Sequence, residues 1–292
     1  MWWQAIRPKT LGMAISPVVL GSALAWTGDA PVIHLEAPLI IVLCAVAIQA
    51  GTNLFNDVAD HLNGTDDQMR LGPPRVTALG WALPHQVSSA GLTAFLIALL
   101  GGMYLVAIGG WAIYFLGLAS LIAGYSYSHG PWPVSRTPLG ELVVIAFFGI
   151  AAVCGTYYLI TGAISDAAIL CGVALGLPAG AVLLLNNVRD MQGDARTGRK
   201  TLAILVGLER SRMIYAALLV APYVILAVSV ALQQVAIGAL VGLITVPLAL
   251  KAITAFRRTE PSPAMNPLLG QTVRLQGWFA LSVAGGMFLP LG

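Results

Sequence analysis

Long apolar stretches recur along this chain, and they restrict its possible folds more than any other feature. A helix that crosses the hydrocarbon core of a bilayer needs about 20 mostly apolar residues. Nine segments fit that length, separated by polar residues or by glycine and proline. They run from 11 to 28, 37 to 55, 88 to 109, 111 to 128, 139 to 160, 167 to 187, 213 to 232, 235 to 254 and 275 to 291. The sequence therefore predicts an all-α polytopic membrane protein with nine transmembrane helices, forming a single domain over residues 1–292.

The composition excludes a water-soluble or disordered chain. Only 9% of the residues are charged and 58% are hydrophobic, whereas soluble domains carry about 25% charged residues. The formal net charge is +3, without a long basic run, so nothing indicates a nucleic-acid partner. The three cysteines lie in apolar stretches without the spacing of metal ligands. The lipid bilayer is therefore the expected surrounding of this protein.

The basic residues predict the orientation of the chain. With nine spans, all 15 Lys and Arg residues fall on the same side as the N-terminus. Such residues are enriched in cytoplasmic loops, so we expect a cytoplasmic N-terminus and a C-terminus outside. The first span follows Arg7 and Lys9, and a basic segment followed by an apolar one is also the pattern of a signal peptide. We interpret it as an uncleaved helix, because the rest of the chain is also membrane-embedded and needs an orienting first span.

Two polar stripes extend the second and sixth predicted spans. Asn53, Asp57 and Asp60 are spaced i, i+4, i+7, and a similar set begins at Asn186 and includes Asp190 and Asp194. On a helix, each spacing places the side chains on one face. Four spans separate the two stripes, so both end at the cytoplasmic surface. We therefore expect them to face one cavity.

The density of aspartates at these helix ends predicts a cation between them. Neighbouring carboxylates repel one another and are costly to desolvate unless a positive group lies nearby. Oxygen ligands suit Mg²⁺, which typically joins one or two carboxylates to substrate phosphates. The predicted metal ligands are Asp57, Asp60, Asp190 and Asp194, and the basic residues available for the remaining phosphate charge are Arg70, Arg75, Arg196, Arg199 and Lys200. Together with an apolar cavity, this pattern indicates an isoprenyl diphosphate as substrate.

The motifs resemble those of a known family. The pattern Asn53-x-x-Asn56-Asp57-x-x-Asp60-x-x-x-Gly64-x-Asp66, followed later by Asp190-x-x-x-Asp194, resembles the UbiA-type intramembrane prenyltransferases. Shorter motifs look like the menaquinone branch of that superfamily, which prenylates 1,4-dihydroxy-2-naphthoate. These are Arg7-Pro-Lys-Thr-Leu, Thr137-Pro-Leu-Gly-Glu, Asn186-Asn-x-Arg-Asp and Gly198-Arg-Lys-Thr-Leu. The resemblance covers nearly the whole chain.

The resemblance implies a fold and a reaction. Nine helices surround a central cavity, and the active site opens on the cytoplasmic face of the bacterial inner membrane. Mg²⁺ held by the four aspartates binds a polyprenyl diphosphate, the allylic C–O bond ionises, and the carbocation attacks the naphthoate ring, which loses CO2 to give demethylmenaquinone. The implied catalytic residues are the four aspartates, and the implied substrate-binding residues are Asn53, Asn56, Asp66, Arg75, Tyr125, His129, Asn186, Arg199 and Lys200. His129 stands where relatives often have lysine.

Two alternative functions fit parts of the same pattern. Within the family, the aromatic acceptor could instead be 4-hydroxybenzoate; His61 after Asp60 and the opening Arg7-Pro-Lys-Thr fit that branch less well. A cation transporter would need polar groups across the membrane midplane. The predicted spans are nearly free of ionisable residues away from the cytoplasmic ends, so transport is the more distant alternative.

Overall fold

The computed structural model describes residues 1–64, 71–73 and 75–290. Within these residues the chain is helical and contains no β-strand. The α-helices are α1 (Trp2–Ala5), α2 (Pro8–Thr27), α3 (Ala37–Leu62), α4 (Pro84–Ser126), α5 (Gly140–Ile145), α6 (Ala152–Thr161), α7 (Asp166–Arg196), α8 (Leu202–Ala231), α9 (Val246–Arg258) and α10 (Asn266–Met287). A π-helical segment, Ala146–Ala151, joins α5 to α6, and short 3-10 segments lie at Val134–Arg136, Ile237–Thr245 and Pro263–Met265. The prediction of an all-α protein is confirmed.

Seven helical stretches among the described residues are long and apolar enough to cross a membrane. They are Pro8–Thr27, Ala37–Leu62, Pro84–Ser126, Gly140–Thr161, Asp166–Arg196, Leu202–Ala231 and Ile237–Arg258. The protein is therefore a multi-pass membrane protein. Helix α10, which contains most of the ninth predicted span, is not among the seven.

The third and fourth predicted spans lie within one continuous stretch, α4. Its 43 residues are interrupted at Gly110, which has φ 66° and ψ −156°. An L-residue with a side chain is strongly disfavoured at such a positive φ, whereas glycine is not. One glycine therefore breaks the helix where the sequence predicts the boundary between two spans.

Helix α7 is the most buried of the seven stretches, and it contacts α2, α5, α8 and α10. Close packing against the π-helical segment depends on glycine: a Cβ on Gly149 would lie 2.5 Å from the Cα of Gly176. Small residues permit this approach of two backbones inside a membrane. Helix α7 continues beyond this packed region to Arg196, so its acidic end is held in place by the core of the protein.

Candidate active site

A cavity of about 2070 Å³ runs through the helical bundle. The acid-bearing ends of α3 and α7 line one part of it, and apolar side chains line the rest, including Ile41, Leu105 and Leu159. Asp60 and Ile41 both border the cavity and are 19 residues apart on α3, which corresponds to about 28 Å along the helix axis. The cavity is therefore long, polar at one end and apolar along most of its length.

Asp57 is buried and holds the segment that follows the first motif. Its Oδ2 accepts a hydrogen bond from the backbone N–H of Val76 at 3.1 Å, and its Oδ1 accepts one from the backbone N–H of Thr77 at 3.1 Å. The Thr77 hydroxyl also donates to Oδ1. Charge-assisted bonds of this kind are stronger than neutral ones, so Asp57 anchors residues 76 and 77 to the end of α3.

Asp60 lies between two arginines that come from different parts of the chain. Arg75 Nη2 donates to its Oδ2 at 2.5 Å, and Arg199 Nη2 donates to its Oδ1 at 2.5 Å. Arg199 also reaches the second motif, with its Nη1 3.2 Å from Oδ1 of Asp194. One buried guanidinium thus joins the two acidic motifs, and the structure brings both predicted stripes to one cavity.

Asp190 is held by its own neighbour in sequence. Arg189 donates from Nε to Oδ1 at 2.9 Å and from Nη2 to Oδ2 at 2.5 Å. The same guanidinium donates to Oδ1 of Asn186 at 2.8 Å and to Oδ1 of Asn266 at 2.7 Å. Asn266 in turn donates to the backbone carbonyl of Leu71 at 3.0 Å. The completely buried Arg189 therefore links α7 to α10 and to the segment after the first motif.

The sequence reasoning assigned no role to Arg189 or Asn266. Arg189 lies inside the second motif, and its position next to Asp190 is the sequence feature that could have indicated its role. Asn266 carries no such signal, because it begins α10, far from either motif in the sequence. Thr77 is similar: only the fold brings its hydroxyl to Asp57.

Most of the other predicted site residues also border the cavity. Buried Asn53 donates from Nδ2 to the carbonyl of Ile6 at 2.9 Å, so its amide ties α3 to the N-terminal residues. The cavity wall contains Asn53, Asn56, Asp57, Asp60, Arg75, Asn186, Asp190, Asp194 and Arg199. Asp66 and Arg70 lie outside the described residues.

Three predicted residues do not border the cavity. Tyr125 and His129 stack on each other with ring centroids 5.0 Å apart, and both contact the edge or face of Phe55. Burial lowers the pKa of His129, and the charge of Asp60 partly offsets this effect. Lys200 is exposed, and its backbone N–H donates to the carbonyl of Arg136 at 3.0 Å. Tyr127, which lies between Tyr125 and His129 in the sequence, does line the cavity. Burial raises the pKa of its hydroxyl well above the ordinary value.

The ligand atoms available at the acidic end of the cavity fit a hard divalent cation. Within residues 1–64, 71–73 and 75–290, no three acidic, histidine or cysteine side chains are grouped closely enough to hold a metal by themselves. The acids are instead neutralised by arginines, with the Arg199 guanidinium between Asp60 and Asp194. Oxygen ligands of this kind suit Mg²⁺ when phosphate oxygens complete its coordination. The residues present therefore fit a metal that arrives with a phosphorylated substrate.

Comparison with known proteins agrees with the motifs. The profile of the UbiA prenyltransferase family matches residues 14–270. The chain belongs to this family. It is 34% identical to the 1,4-dihydroxy-2-naphthoate octaprenyltransferase of Mycobacterium tuberculosis, in an alignment that covers 98% of this chain and 96% of that protein. The resemblance to the UbiA-type enzymes and their menaquinone branch is confirmed.

Two solved structures share the fold of this UbiA family member at low sequence identity. The apo structure of a UbiA homolog from Aeropyrum pernix K1 superposes with a TM-score of 0.72 at 14% identity, covering 94% of this chain and 96% of that one. A UbiA homolog from Archaeoglobus fulgidus bound to DMAPP and Mg²⁺ has a TM-score of 0.64 at 17% identity, covering 97% and 99%. The described helices therefore have the UbiA arrangement.

Proposed function

We propose that this protein transfers a polyprenyl chain from an allylic polyprenyl diphosphate to 1,4-dihydroxy-2-naphthoate, releasing diphosphate and CO2 and giving demethylmenaquinol, the reduced form of demethylmenaquinone. The observation that carries this proposal is the cavity itself, in which two acidic helix ends meet at one end of a long apolar passage. The naphthoate as acceptor is supported by the name of the relative from M. tuberculosis, which aligns over nearly the whole chain. Menaquinone biosynthesis is the pathway to which this product belongs.

At the acidic end, Asp57, Asp60, Asp190 and Asp194 hold Mg²⁺, which supplies stabilisation of the negative charge on the departing diphosphate. The Mg²⁺ and DMAPP bound by the A. fulgidus homolog support this choice of metal and donor. Arg75 and Arg199 bind the remaining charge of the diphosphate, because guanidinium groups match phosphate oxygens in geometry and charge. Lys200 contributes charge from its exposed position, and Asn53, Asn56 and Asn186 complete the polar wall.

The apolar end of the cavity accommodates the prenyl chain. When the allylic C–O bond breaks, its electron pair leaves with the diphosphate and a carbocation remains, which water would capture. Side chains such as Phe147 and Phe148 line the adjacent wall and exclude water from this position. The ring of the acceptor then forms the new C–C bond and loses its carboxylate as CO2. Asp66, Tyr125 and His129 remain predicted substrate-binding residues on the strength of the motif alone.

The complete topology is also part of the proposal. We propose nine spans in one domain over residues 1–292, with α4 counted as two spans that meet at Gly110 and α10 as the ninth. The N-terminus and the acidic end then lie on the cytoplasmic face of the bacterial inner membrane, where all Lys and Arg residues gather. Thiol labelling from either side of the membrane checks this orientation in a protein whose three native cysteines are replaced by alanine. A cysteine introduced as Asp29→Cys should react from outside, and one introduced as Lys200→Cys from inside.

The reaction is tested with purified protein in lipid, Mg²⁺, a polyprenyl diphosphate, and either 1,4-dihydroxy-2-naphthoate or 4-hydroxybenzoate. We expect a prenylated, decarboxylated product from the naphthoate, measured by mass and by CO2 release, and no product after EDTA treatment. Product from 4-hydroxybenzoate alone would overturn the acceptor. Absence of product from both acceptors, with labelled cation entering proteoliposomes in a manner dependent on Asp57 and Asp190, would favour a transporter instead.

A further inference from the structure

A second polar cluster lies beside the acidic motifs and has no part in the binding of the donor described above. Glu141, in the first turn of α5, is buried, and its Oε1 accepts a hydrogen bond from Nδ2 of Asn187 at 2.9 Å. Asn187, on α7, borders the cavity three residues before Asp190. Tyr127 borders the same cavity after the end of α4, where burial and the charge of Glu141 raise the pKa of its hydroxyl. We name Glu141, Asn187 and Tyr127 the Glu141 cluster.

The burial of Glu141 requires an explanation. Its side chain is 3% exposed, and Oε2 has no hydrogen-bond partner within the described part of the chain. A buried polar group left without a partner costs about 1–3 kcal/mol, and more if it is charged. An ionisable residue inside a membrane protein usually has a function for this reason. The structure shows one thing that Glu141 does: it fixes the amide of Asn187 on the cavity wall.

The chemistry of this pair fits a hydrogen-bond donor rather than a phosphate. One hydrogen of Nδ2 bonds to Glu141 and fixes the plane of the amide, so Asn187 can turn its carbonyl oxygen toward the cavity, where that oxygen accepts hydrogen bonds. A fully ionised diphosphate has no proton to donate to that oxygen. The ring hydroxyls of a dihydroxynaphthoate are donors of the required kind. A hydroxyl that donates to Asn187 also gains electron density on its oxygen, which makes the ring a better nucleophile.

We propose that Asn187 binds a ring hydroxyl of the aromatic acceptor and that Glu141 is the positioning residue that orients the Asn187 amide. Arg75 and Arg199 then bind the donor diphosphate, and the Glu141 cluster binds the acceptor beside it. This inference rests on the proposed function, because it takes the acceptor to be a hydroxylated aromatic ring.

The test compares the two substrates in Asn187→Ser and Glu141→Ala variants. We expect KM for 1,4-dihydroxy-2-naphthoate to rise about tenfold, as expected for one lost hydrogen bond of about 1.4 kcal/mol, while KM for the polyprenyl diphosphate stays unchanged. Glu141→Gln keeps an oxygen that accepts from Asn187 Nδ2, so this variant should restore KM for the naphthoate to near the wild-type value. Fluorescence titration of the naphthoate into metal-free protein should show the same loss of affinity without any turnover.

Two further variants separate this role from a contribution to folding. Gln276 on α10 is equally buried, donates from Nε2 to the carbonyl of Leu175 at 3.3 Å, and has an Oε1 without a partner among the described residues, but it does not border the cavity. Gln276→Leu should therefore leave both KM values unchanged. Where Glu141→Ala fails to fold, the double variant Glu141→Leu/Asn187→Leu removes both polar groups of the pair together, a replacement that proteins tolerate, and should lose affinity for the naphthoate.

The outcomes are distinct. A selective rise in KM for the diphosphate, or unchanged values for both substrates in Asn187→Ser, would overturn the role of Asn187. A tenfold effect in Asn187→Ser that Glu141→Ala does not share would overturn the positioning role of Glu141. Wild-type protein that fails to prenylate the naphthoate at all would instead remove the proposed function on which this inference rests.

Discussion

The ends of α3 and α7 carry similar acidic motifs but are held in place in different ways. The aspartates of α3 bind groups that are distant in sequence: Asp57 holds Val76 and Thr77, and Asp60 holds Arg75 and Arg199. Asp190 of α7 is bound by Arg189, the preceding residue on the same helix. The first motif therefore organises segments outside its own helix, whereas much of the second motif is organised locally. Arg199 is the point where the two arrangements meet.

This difference explains why two similar motifs contribute differently to the site. The position of α7 is fixed by tight backbone packing near Gly149 and Gly176, so its acidic end needs little additional support. The segment from Arg75 to Thr77 forms no helix, and it depends on Asp57 and Asp60 for its position. Substitutions in the first motif should therefore disturb both the site and its surroundings, and those in the second should act mainly on the site.

The largest expected effect is that of the aspartates themselves. Asp57→Asn and Asp190→Asn should each reduce turnover about a thousandfold, because the charge that holds Mg²⁺ and the diphosphate is removed. Circular dichroism in detergent should show the same helix content as the wild type. Asp57→Asn should also make the segment around Thr77 more sensitive to proteolysis, which Asp190→Asn should not do. Near-normal turnover in either variant would contradict the assignment of the metal site.

Next in size is the loss of the guanidinium that joins the two motifs. Arg199→Gln leaves Asp60 with one arginine and Asp194 without its partner in a buried site, so we expect the metal-free protein to lose about 3 kcal/mol of stability. Thermal unfolding in nanodiscs measures this loss. Mg²⁺ with inorganic diphosphate should restore part of it, since the bound cation takes over the neutralisation of both acids.

A matched control for Arg199 is Arg212, which also joins two acids. Its partners Glu209 and Glu260 are 80% and 74% exposed, so water screens both interactions. Arg212→Gln should therefore change the unfolding temperature little and leave the Mg²⁺ dependence as in the wild type. Equal losses of stability in the two variants would mean that the Arg199 bridge contributes no more than an exposed ion pair.

A smaller effect is expected from Thr77→Val, which keeps the shape of the side chain and removes its hydroxyl. Asp57 loses one of three hydrogen bonds, at a cost of about 1 kcal/mol. Turnover at low diphosphate concentration should fall several-fold. Thr259→Val is the control, because that hydroxyl donates to the carbonyl of Ala255 on the helix that ends just before it. Equal activities of the two variants would show that Thr77 does not position Asp57.

The smallest effect concerns His129, whose pKa is lowered by partial burial. Below its ordinary pKa near 6.5, the unfolded chain takes up a proton that the folded protein takes up less readily, so stability falls as the pH drops from 6.5 toward the lower folded value. His129→Asn should remove this part of the pH dependence, whereas the loss of the ring contacts with Tyr125 and Phe55 lowers stability equally at both pH values. Denaturation curves at pH 5.5 and pH 8 measure the free energy of unfolding in each protein. If the difference between the two pH values is the same in the variant and in the wild type, His129 does not cause this pH dependence.

Much of the fold and of the site was predictable because local patterns determine it. Apolar length predicts most of the membrane helices, and helical spacing places Asp57 and Asp60 on one face, as it does Asp190 and Asp194. The glycine at position 110 marks the boundary between two predicted spans and is the residue at which α4 breaks.

What the sequence could not show are the contacts between distant segments. Nothing in the residues around Asn266 indicates that its side chain bonds Arg189 and the carbonyl of Leu71. The i, i+2, i+4 series Tyr125, Tyr127 and His129 offers three candidates, and only packing against Phe55 decides that Tyr127 faces the cavity while the other two stack away from it. Such choices depend on the three-dimensional arrangement of several helices.

The π-helical segment Ala146–Ala151 has a consequence for changes in chain length. A π turn holds one residue more than the α turn it replaces, so removing one residue there can restore regular α-helix without rotating the helix on either side. A one-residue deletion within α7 would instead turn everything beyond it by about 100° and take Asp190 and Asp194 off the cavity wall. The Gly140–Thr161 stretch therefore contains a position at which evolution or design can remove one residue. Such a deletion would reshape the cavity wall formed by Phe147 and Phe148 and leave the acidic end intact.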